Sequence, residues 1–472
     1  MKKLSNPGRC ARFAATLCFS ATLLLASCGG GGGSAAPRLA ADTTAQDGVT
    51  VSTEPGSGIA PTSPIPAPTP VLPSPVQPTP VPPATPAPPP PAPPAPPPPA
   101  PPPPPPPATP GSQFALTGYQ HNPLDTGAPA SRSFYVAPNG VDTAKGTEAA
   151  PFRTLERATR AASQPGTTVW VAPGAYAGGF QSTASGAPSA RIAYVSTTRW
   201  GARVVPDPSS NIRVGWDNRG AHVSIIGFEV DGGGEGAWSH GIYTGGSYSL
   251  IQENHVHHIA NVNSCDRIGG SAIGADSYFR GIEQDVIANT VHDIGPAHCK
   301  FIQGIYMSTT GRVMNNLVYR VGEAAIHLWH DASDVIVANN TVAASGFGII
   351  VGGGNFYFTS AGNDRTSVLN NLVYGNGLGI SEQGKTGMSN RYLNNLVFHN
   401  DEAISLKNGL KAVATLAVDP LFAAYAPRAS LPDFRLGAGS PAIGSGRTPQ
   451  APPRDIDGKL RAGSIDIGAY AY

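Results

Sequence analysis

Asn315-Asn316-Leu317-Val318 is one of six short strings in this chain that place an asparagine two residues before a valine. These asparagines recur at steps of 35, 27, 24, 31 and 24 residues, at Asn254, Asn289, Asn316, Asn340, Asn371 and Asn395. A recurrence of this length indicates stacked units, because each unit is too short to bury a core alone. The units contain β-branched runs and glycine turns without helical periodicity, so the sequence predicts a parallel β-solenoid.

A second strand in each unit carries one recurring isoleucine, which we predict to point inward: Ile242, Ile273, Ile305, Ile326, Ile349, Ile380 and Ile404. Because side chains alternate along a strand, the next residue points outward. This gives one outward row of Tyr243, Gly274, Tyr306, His327, Ile350, Ser381 and Ser405. Two residues further lies a second row of Gly245, Asp276, Ser308, Trp329, Gly352, Gln383 and Lys407.

Adjacent coils of such a stack lie about 4.8 Å apart. We therefore expect Tyr306 and His327 to be neighbours on the outer surface, with Trp329, His330 and Asp331 beside them. Glu382 falls inward in the same register. Either it is buried together with Lys385 or the register is wrong at this coil.

The N-terminal segment has the pattern of an export signal. A basic start precedes an apolar run that closes on Leu25-Ala26-Ser27-Cys28. This predicts a signal peptide over 1–27 and a bacterial outer-membrane lipoprotein, periplasmic or cell-surface facing, whose lipid on Cys28 is its contact with the membrane. Residues 28–130 are rich in Gly, Ser and Pro and are predicted to be a disordered linker, with Pro61–Pro110 as an extended stalk.

The foldable part divides into a β-helix over 131–410 and a tail over 411–472. It opens with the strand Phe134-Tyr135-Val136 and a short helix from Leu155 to about Ser163. The tail contains Asp419-Pro420-Leu421-Phe422 and Asp466-Ile467-Gly468. These segments resemble those of secreted bacterial right-handed parallel β-helix proteins of the pectate-lyase-like superfamily. The resemblance implies an all-β right-handed solenoid, a helix that plugs its first coil and a tail that caps its last.

β-Helix enzymes of this kind usually cleave polysaccharide in the middle of the stack, where Tyr306 and His327 fall. Removing the C5 proton of a uronic acid needs a base, an acid for the leaving oxygen and a cation for the carboxylate. We assign His327 or His330 as the base and Tyr306 as the acid. Lys300 or Arg280 is the candidate cation that binds the substrate carboxylate, and Arg267 lies on a nearby loop. Trp329 is the candidate platform on which a sugar ring stacks. Further substrate contacts are predicted at Tyr243, Asp276, Asp331 and Gln383.

The leading hypothesis is therefore a polysaccharide lyase that acts on an acidic, uronate-containing polysaccharide. The alternative hypothesis is a non-catalytic glycan-binding or adhesin module. A uronate C5-epimerase and a glycoside hydrolase are further alternatives. A hydrolase needs two carboxylates about 5–10 Å apart, and no such pair falls on adjacent outward positions. A formal net charge of +1 gives no reason to expect nucleic acid, and we expect a monomer.

The sequence gives only weak signals for metal binding and for disulfide formation. Asp276, Glu283 and Asp285 could bind calcium through their carboxylates. The chain lacks the more closely spaced aspartates of a pectate-lyase-type calcium site. Histidines as close in sequence as His255, His257 and His258 are more often surface residues than metal ligands. The sequence therefore predicts no metal site. Cys265 and Cys299 would form a disulfide in an oxidising compartment or remain two buried thiols.

Overall fold

The computed structural model describes residues 112–124, 130–233, 238–261 and 269–472. The signal peptide, Cys28 with its predicted lipid and residues 28–111 and 125–129 of the predicted linker lie outside these residues, as do Arg267 and Cys265, so those assignments stay predictions. Residues 112–124 were also predicted to be disordered, but Phe114 is buried and the Tyr119 hydroxyl donates to the carbonyl of Ser196, so that prediction is wrong for this stretch. Within the described ranges, none of the helical structure reaches the length and apolarity needed to cross a bilayer.

Short strands and one helix follow each other along the described chain. In order they are β1 Arg132–Val136, α1 Leu155–Ala161, β2 Thr167–Val171, β3 Gly174–Ala177, β4 Phe180–Ser182, β5 Ile192–Ser196, β6 Ala202–Val205, β7 Val214–Asn218, β8 Val223–Ile226, β9 Glu229–Asp231, β10 His240–Thr244, β11 Leu250–Gln252, β12 His255–His257, β13 Gly270–Ala275, β14 Gln284–Ile287, β15 Thr290–Ile294, β16 Ile302–Met307, β17 Gly311–Met314, β18 Leu317–Val321, β19 Ala324–Leu328, β20 Val335–Ala338, β21 Thr341–Ala343, β22 Phe347–Gly353, β23 Ser367–Leu369, β24 Leu372–Tyr374, β25 Leu378–Gly384, β26 Arg391–Leu393, β27 Leu396–Phe398, β28 Glu402–Ser405 and β29 Ala412–Val413.

Three parallel sheets are stacked from every third strand. The first sheet has the order β1-β2-β5-β8-β11-β14-β17-β20-β23-β26-β29, the second runs from β3 to β27 and the third from β4 to β28. Each coil contributes one strand to each sheet, which gives nine complete coils in the described chain and one extra first-sheet strand at each end. This confirms the predicted parallel β-helix, with nine complete coils where roughly ten or more were expected, and its sheets span Arg132 to Val413.

The predicted registers of the third sheet are confirmed. Ile242 pairs with Ile273, Ile273 with Ile305, and the isoleucine row continues to Ile404. All of these isoleucines except the half-buried Ile404 are fully buried in the main core. The next residues form the expected outward row, which includes Tyr243, Gly274, Tyr306, His327 and Ile350.

The repeating asparagines form a buried ladder at the turn between the first and second sheets. The side-chain oxygen of Asn316 accepts from the backbone N–H of Asn289 at 2.9 Å and from its amide at 3.0 Å. The amide of Asn316 in turn donates to the carbonyl of Val286 and to Asn340. The same contacts repeat from Asn254 to Asn395, and these residues are all 0% exposed. The ladder satisfies turn backbone groups that would otherwise be buried without partners.

The residue before each ladder asparagine has a left-handed backbone, with φ between 51° and 57°. Asparagine tolerates this conformation, which is one reason for the paired asparagines. The structure adds a second reason, because four of these first asparagines bind the C-terminal segment. Their amides donate to tail carbonyls: Asn315 to Arg454, Asn339 to Asp466, Asn370 to Arg447 and Asn394 to Ser445.

The tail after β29 therefore lies along the side of the solenoid, and its role as a cap on the last coil stays a prediction. Its apolar residues Phe434, Ile456 and Ala469 pack against Leu317 and Tyr319 of the second sheet. Helix α1 lies at the other end of the stack and packs against β1 and β4. Its residues Leu155 and Ala158, like Ala162 after it, are buried in the core.

Glu382 is buried and inward, as the register required, but its partner is not Lys385. Its carboxylate accepts hydrogen bonds from the amide of Asn390, the hydroxyl of Tyr392 and the backbone N–H of Lys407. The Lys385 amine instead donates to the carbonyl of Ser360. The register is therefore right, and a hydrogen-bonded carboxylate explains why a charge is tolerated there.

Candidate active site

The outer face of the third sheet brings Tyr306 and His327 together on adjacent strands. Tyr306 of β16 pairs with His327 of β19, and their rings meet edge to face with centres 5.4 Å apart. Both side chains are half-buried. The repeat alone was sufficient to place these two residues as neighbours.

Burial sets the protonation of this pair. It raises the pKa of Tyr306 well above its usual value, helped by the nearby Tyr357 and Asp276. Burial also lowers the pKa of His327 to about 3, with a smaller contribution from His330. Both ring nitrogens of His327 are shielded from solvent and have no hydrogen-bond partner. Tyr306 is thus a neutral phenol and His327 a neutral imidazole at neutral pH.

His330 is better arranged for proton transfer than His327. Its Nδ1 lies 2.8 Å from the carbonyl oxygen of Asn355, and its Nε2 lies 2.8 Å from the Tyr357 hydroxyl. A carbonyl can only accept, so Nδ1 carries a proton, and in the neutral imidazole Nε2 accepts from the Tyr357 hydroxyl. A backbone acceptor, an imidazole and a phenol in sequence form an oriented acid–base relay. His330 has a left-handed backbone with φ 48°, a conformation that is uncommon outside glycine.

Two long loops at the end of the third sheet form a wall beside this face. The loop over 276–283 and the loop over 354–366 account for part of the long repeat steps of 35 and 31 residues. They meet through the Tyr278 and Tyr357 rings, 5.3 Å apart, and through the Arg280 guanidinium, 4.2 Å from the centre of the Phe358 ring. Tyr306 is also close to the wall, since its ring centre lies 5.8 Å from that of His330.

Tyr357, Tyr278 and Phe358 were missed by the sequence reasoning. They lie in loops that break the repeat, so no register placed them. The uneven steps between the repeating asparagines were the available signal for these loops. A coil with extra residues must place them in a loop outside the sheets.

Asp276 and Asp331 hold the wall together. Asp276 accepts from the Tyr243 hydroxyl at 2.8 Å, the Ser308 hydroxyl at 2.5 Å and the backbone N–H of Tyr278 at 3.0 Å. Asp331 accepts from the Ser277 hydroxyl at 3.1 Å and from two backbone N–H groups of the 354–366 loop. Their oxygens are already engaged by protein donors, so we now interpret them as positioning residues rather than as substrate contacts.

Trp329 lies next to His327, with ring centres 5.4 Å apart, as the register predicted. Its indole lies over the backbones of Gly352, Gly354 and Gly384, where an added Cβ would approach ring atoms to within 2.6–2.7 Å. These glycines allow the ring to lie close to the sheet backbone. The side chain is partly exposed, which a sugar platform requires.

The remaining predicted residues are distributed around the face. Tyr243 is buried two coils before Tyr306, and Gln383 is half-buried with its amide 3.3 Å from the Ser381 hydroxyl. Arg280 is exposed on the wall, whereas Lys300 is exposed before β16, at the other end of the third-sheet strands. Of the two cations assigned to the carboxylate, only Arg280 is therefore beside His330 and Tyr357.

The calcium trio is not assembled. Asp285 forms an ion pair with Arg312, and among the described residues no metal-compatible group includes Asp276, Glu283 or Asp285. Cys299 is buried and disulfide-bonded, while the assignment of Cys265 as its partner stays a prediction. The histidines at 255 and 257 are buried, at 9% and 7% exposure, so their interpretation as surface residues is wrong.

Comparison with known proteins gives one short family match and several solved structures of low similarity. A family model described as a protein of unknown function, DUF1565, matches residues 138–183. No curated protein is significantly similar in sequence. Among solved structures, pectate lyase Pel9A is 18% identical, with 73% of this chain and 98% of that chain covered and a TM-score of 0.49.

Two further solved structures have the same kind of similarity. An alginate lyase from Paenibacillus sp. is 16% identical over 61% of this chain and 95% of that chain, with a TM-score of 0.42. The A-module of the Azotobacter vinelandii mannuronan C-5 epimerase AlgE6 is 14% identical over 56% of this chain and 68% of that chain, with a TM-score of 0.40.

Proposed function

We propose that this protein is a polysaccharide lyase that cleaves an acidic, uronate-containing chain on the outer face of its third sheet. The observation that carries the proposal is the relay from the Asn355 carbonyl through His330 to Tyr357, with the protonated Tyr306 beside it. A base and an acid that differ in protonation at one pH are what β-elimination needs.

The reaction assigns one role to each group. The His330–Tyr357 pair accepts the proton from C5 of the uronate, and the electrons of that bond form a C4–C5 double bond. The C4–O4 bond breaks, and Tyr306 donates its proton to the leaving oxygen. Arg280, on the wall formed by the same loops, neutralises the substrate carboxylate, and this lowers the cost of removing the C5 proton.

Exposed aromatic side chains support a sugar ligand. Tyr278, Phe279 and Phe358 are each 44–49% exposed on the wall, and Trp329 lies partly exposed on the face. Aromatic rings of this kind stack on the apolar faces of sugars. The same rings would serve a non-catalytic glycan-binding module, which is the second candidate function.

Incubation of the purified full-length protein with pectin, alginate and glycosaminoglycans tests the proposal. The expected product is an unsaturated uronate, followed by its ultraviolet absorbance. Tyr357→Phe and Tyr306→Phe should each lower the rate by about 10²–10⁴-fold. Tyr425→Phe, a hydroxyl removed from the C-terminal tail, is the matched control and should leave the rate unchanged.

The alternatives give different results. Retention on a glycan array without any product supports the binding module and contradicts the lyase. An unchanged polymer length with inverted C5 stereochemistry, read by nuclear magnetic resonance, supports an epimerase. Full activity in the Tyr306→Phe, Tyr357→Phe double variant rejects these residues even if the protein is a lyase.

A further inference from the structure

A second cluster of reactive side chains lies on another sheet and has no part in the proposed reaction. The outer face of the second sheet carries His255 and His257 on β12 and His292 on β15, with exposures of 9%, 7% and 5%. Glu229 on β9 pairs in register with His255, one coil away. Three coils thus bring buried imidazoles and a carboxylate to one place.

The ligand atoms of Glu229, His255 and His257 converge. One atom from each residue lies within 4.8 Å of the other two. Glu229 Oε1 is 3.0 Å from His257 Nε2. His255 and His257 are two residues apart on one strand, so both side chains point to the same face.

Neighbouring groups hold these rings in place. His257 Nδ1 is 2.7 Å from His258 Nδ1 and 3.5 Å from the Asp231 carboxylate. His255 Nε2 is 2.7 Å from His292 Nε2, and the other nitrogen of His292 is 2.7 Å from the Asp293 carboxylate. Carboxylates behind imidazoles are the usual second layer of a metal site, because they fix the tautomer and the orientation of the ring.

Two aromatic rings enclose the cluster. Trp200 packs against His255 in a tilted arrangement with ring centres 4.7 Å apart, and Tyr319 stacks on His292 at 4.9 Å. The Trp200 indole N–H donates to the carbonyl of Glu253, which fixes that ring. The imidazoles therefore have little freedom to turn away from each other.

We propose that Glu229, His255 and His257 bind one divalent transition-metal ion of the zinc type, with the fourth position taken by water. Imidazole and carboxylate donors suit zinc, copper and nickel better than calcium, which prefers oxygen alone. Zinc bonds to these donors are about 2.0–2.2 Å long, which places two tetrahedral ligands roughly 3.4 Å apart. Opening the Glu229–His257 contact from 3.0 Å needs a few tenths of an ångström.

The ion would connect β9 to β12 and so fasten two adjacent coils. This role is structural and is independent of the chemistry proposed at Tyr306, which lies on the third sheet, and at His330, which lies in the turn after it. A failure of one proposal therefore leaves the other in place.

Zinc titration of the full-length protein, made without a polyhistidine tag and stripped with a chelator, tests the site. Competition with a fluorescent zinc chelator should give one ion per chain. His257→Gln and Glu229→Gln should each weaken binding by at least ~100-fold, since loss of an outer-shell partner alone costs about 10–100-fold. His399→Asn removes an exposed histidine outside the cluster and should change nothing.

Two further readouts keep the test decisive if a variant folds poorly. X-ray absorption of the zinc-loaded protein should show nitrogen and oxygen ligands and no sulfur. Zinc should raise the melting temperature of the wild-type protein and leave that of Glu229→Gln much less changed. Absence of zinc binding in the wild-type protein overturns the proposal, as does binding that His258→Asn abolishes and Glu229→Gln spares.

Discussion

The turn between the first and second sheets and the turn after the third sheet belong to the same coils but are built differently. The first turn repeats a left-handed residue and a buried asparagine at Asn254, Asn289, Asn316 and onward, and each copy makes the same hydrogen bonds. The other turn changes length and composition from coil to coil and supplies Tyr278, His330 and Tyr357. The repeated turn holds the stack together, and the irregular turn supplies side chains of the proposed active site.

The largest expected effect comes from the irregular turn. His330→Asn keeps a residue that tolerates φ 48° but removes the imidazole that accepts from Tyr357. Activity should fall about 10²–10⁴-fold, measured as initial rate of unsaturated product. The free energy of unfolding should change little, because the side chain contributes few core contacts. Equal losses of activity and of folded protein would contradict a catalytic role.

The regular turn should respond in the opposite way. Asn316→Ala removes the oxygen that accepts from two groups of Asn289 and the amide that donates to Val286. Buried groups left without partners cost roughly 1–3 kcal/mol each, so we expect a loss of about 3 kcal/mol in urea denaturation. Asn139→Ala, at an exposed turn position, is the control and should stay within about 0.5 kcal/mol. A small loss in Asn316→Ala would show that water can replace the ladder.

Gly384→Ala tests the boundary between the regular third sheet and the irregular turn that follows it. Gly384 has φ +60°, and an added Cβ would lie 2.2 Å from the carbonyl oxygen of Gly353 and 2.7 Å from the Trp329 ring. Overpacking and backbone strain should destabilise the protein by about 1–3 kcal/mol and displace the indole. The measurements are the unfolding free energy and the tryptophan fluorescence of the folded state. Gly409→Ala has a similar φ of +71° but open space around it, and it isolates the strain from the contact.

His327→Phe should have the smallest effect and the opposite sign. Its two ring nitrogens are buried without partners, a cost of roughly 1–3 kcal/mol that a phenyl ring avoids, so the variant should gain about 1 kcal/mol at pH 7. The unfolded chain takes up a proton near pH 6.5, while the folded pKa of His327 is about 3. Between these values the unfolded state binds more protons, so stability falls as the pH falls. The variant should lose this component of the slope in denaturation curves, and an unchanged slope would contradict a buried neutral imidazole.

Sequence alone was sufficient for everything that depends on register. The isoleucine row, the pairing of Tyr306 with His327, the inward position of Glu382 and the asparagine ladder all follow from a period and from side-chain alternation. It was insufficient where contacts cross between coils through loops or through the tail. The His330–Tyr357 bond joins a turn to a loop 27 residues later, and the approach of His292 to His255 is diagonal rather than in register.

The tail that runs along the second sheet changes how the whole stack should come apart. In a simple solenoid each coil touches only its neighbours, so local melting can spread one winding at a time. Here the segment around Arg447–Asp466 is bonded to four windings at Asn315, Asn339, Asn370 and Asn394. Because this segment is hydrogen-bonded to four coils, those coils should unfold together. Removal of the residues after Val413 should therefore replace one cooperative unfolding transition with a gradual loss of structure, coil by coil.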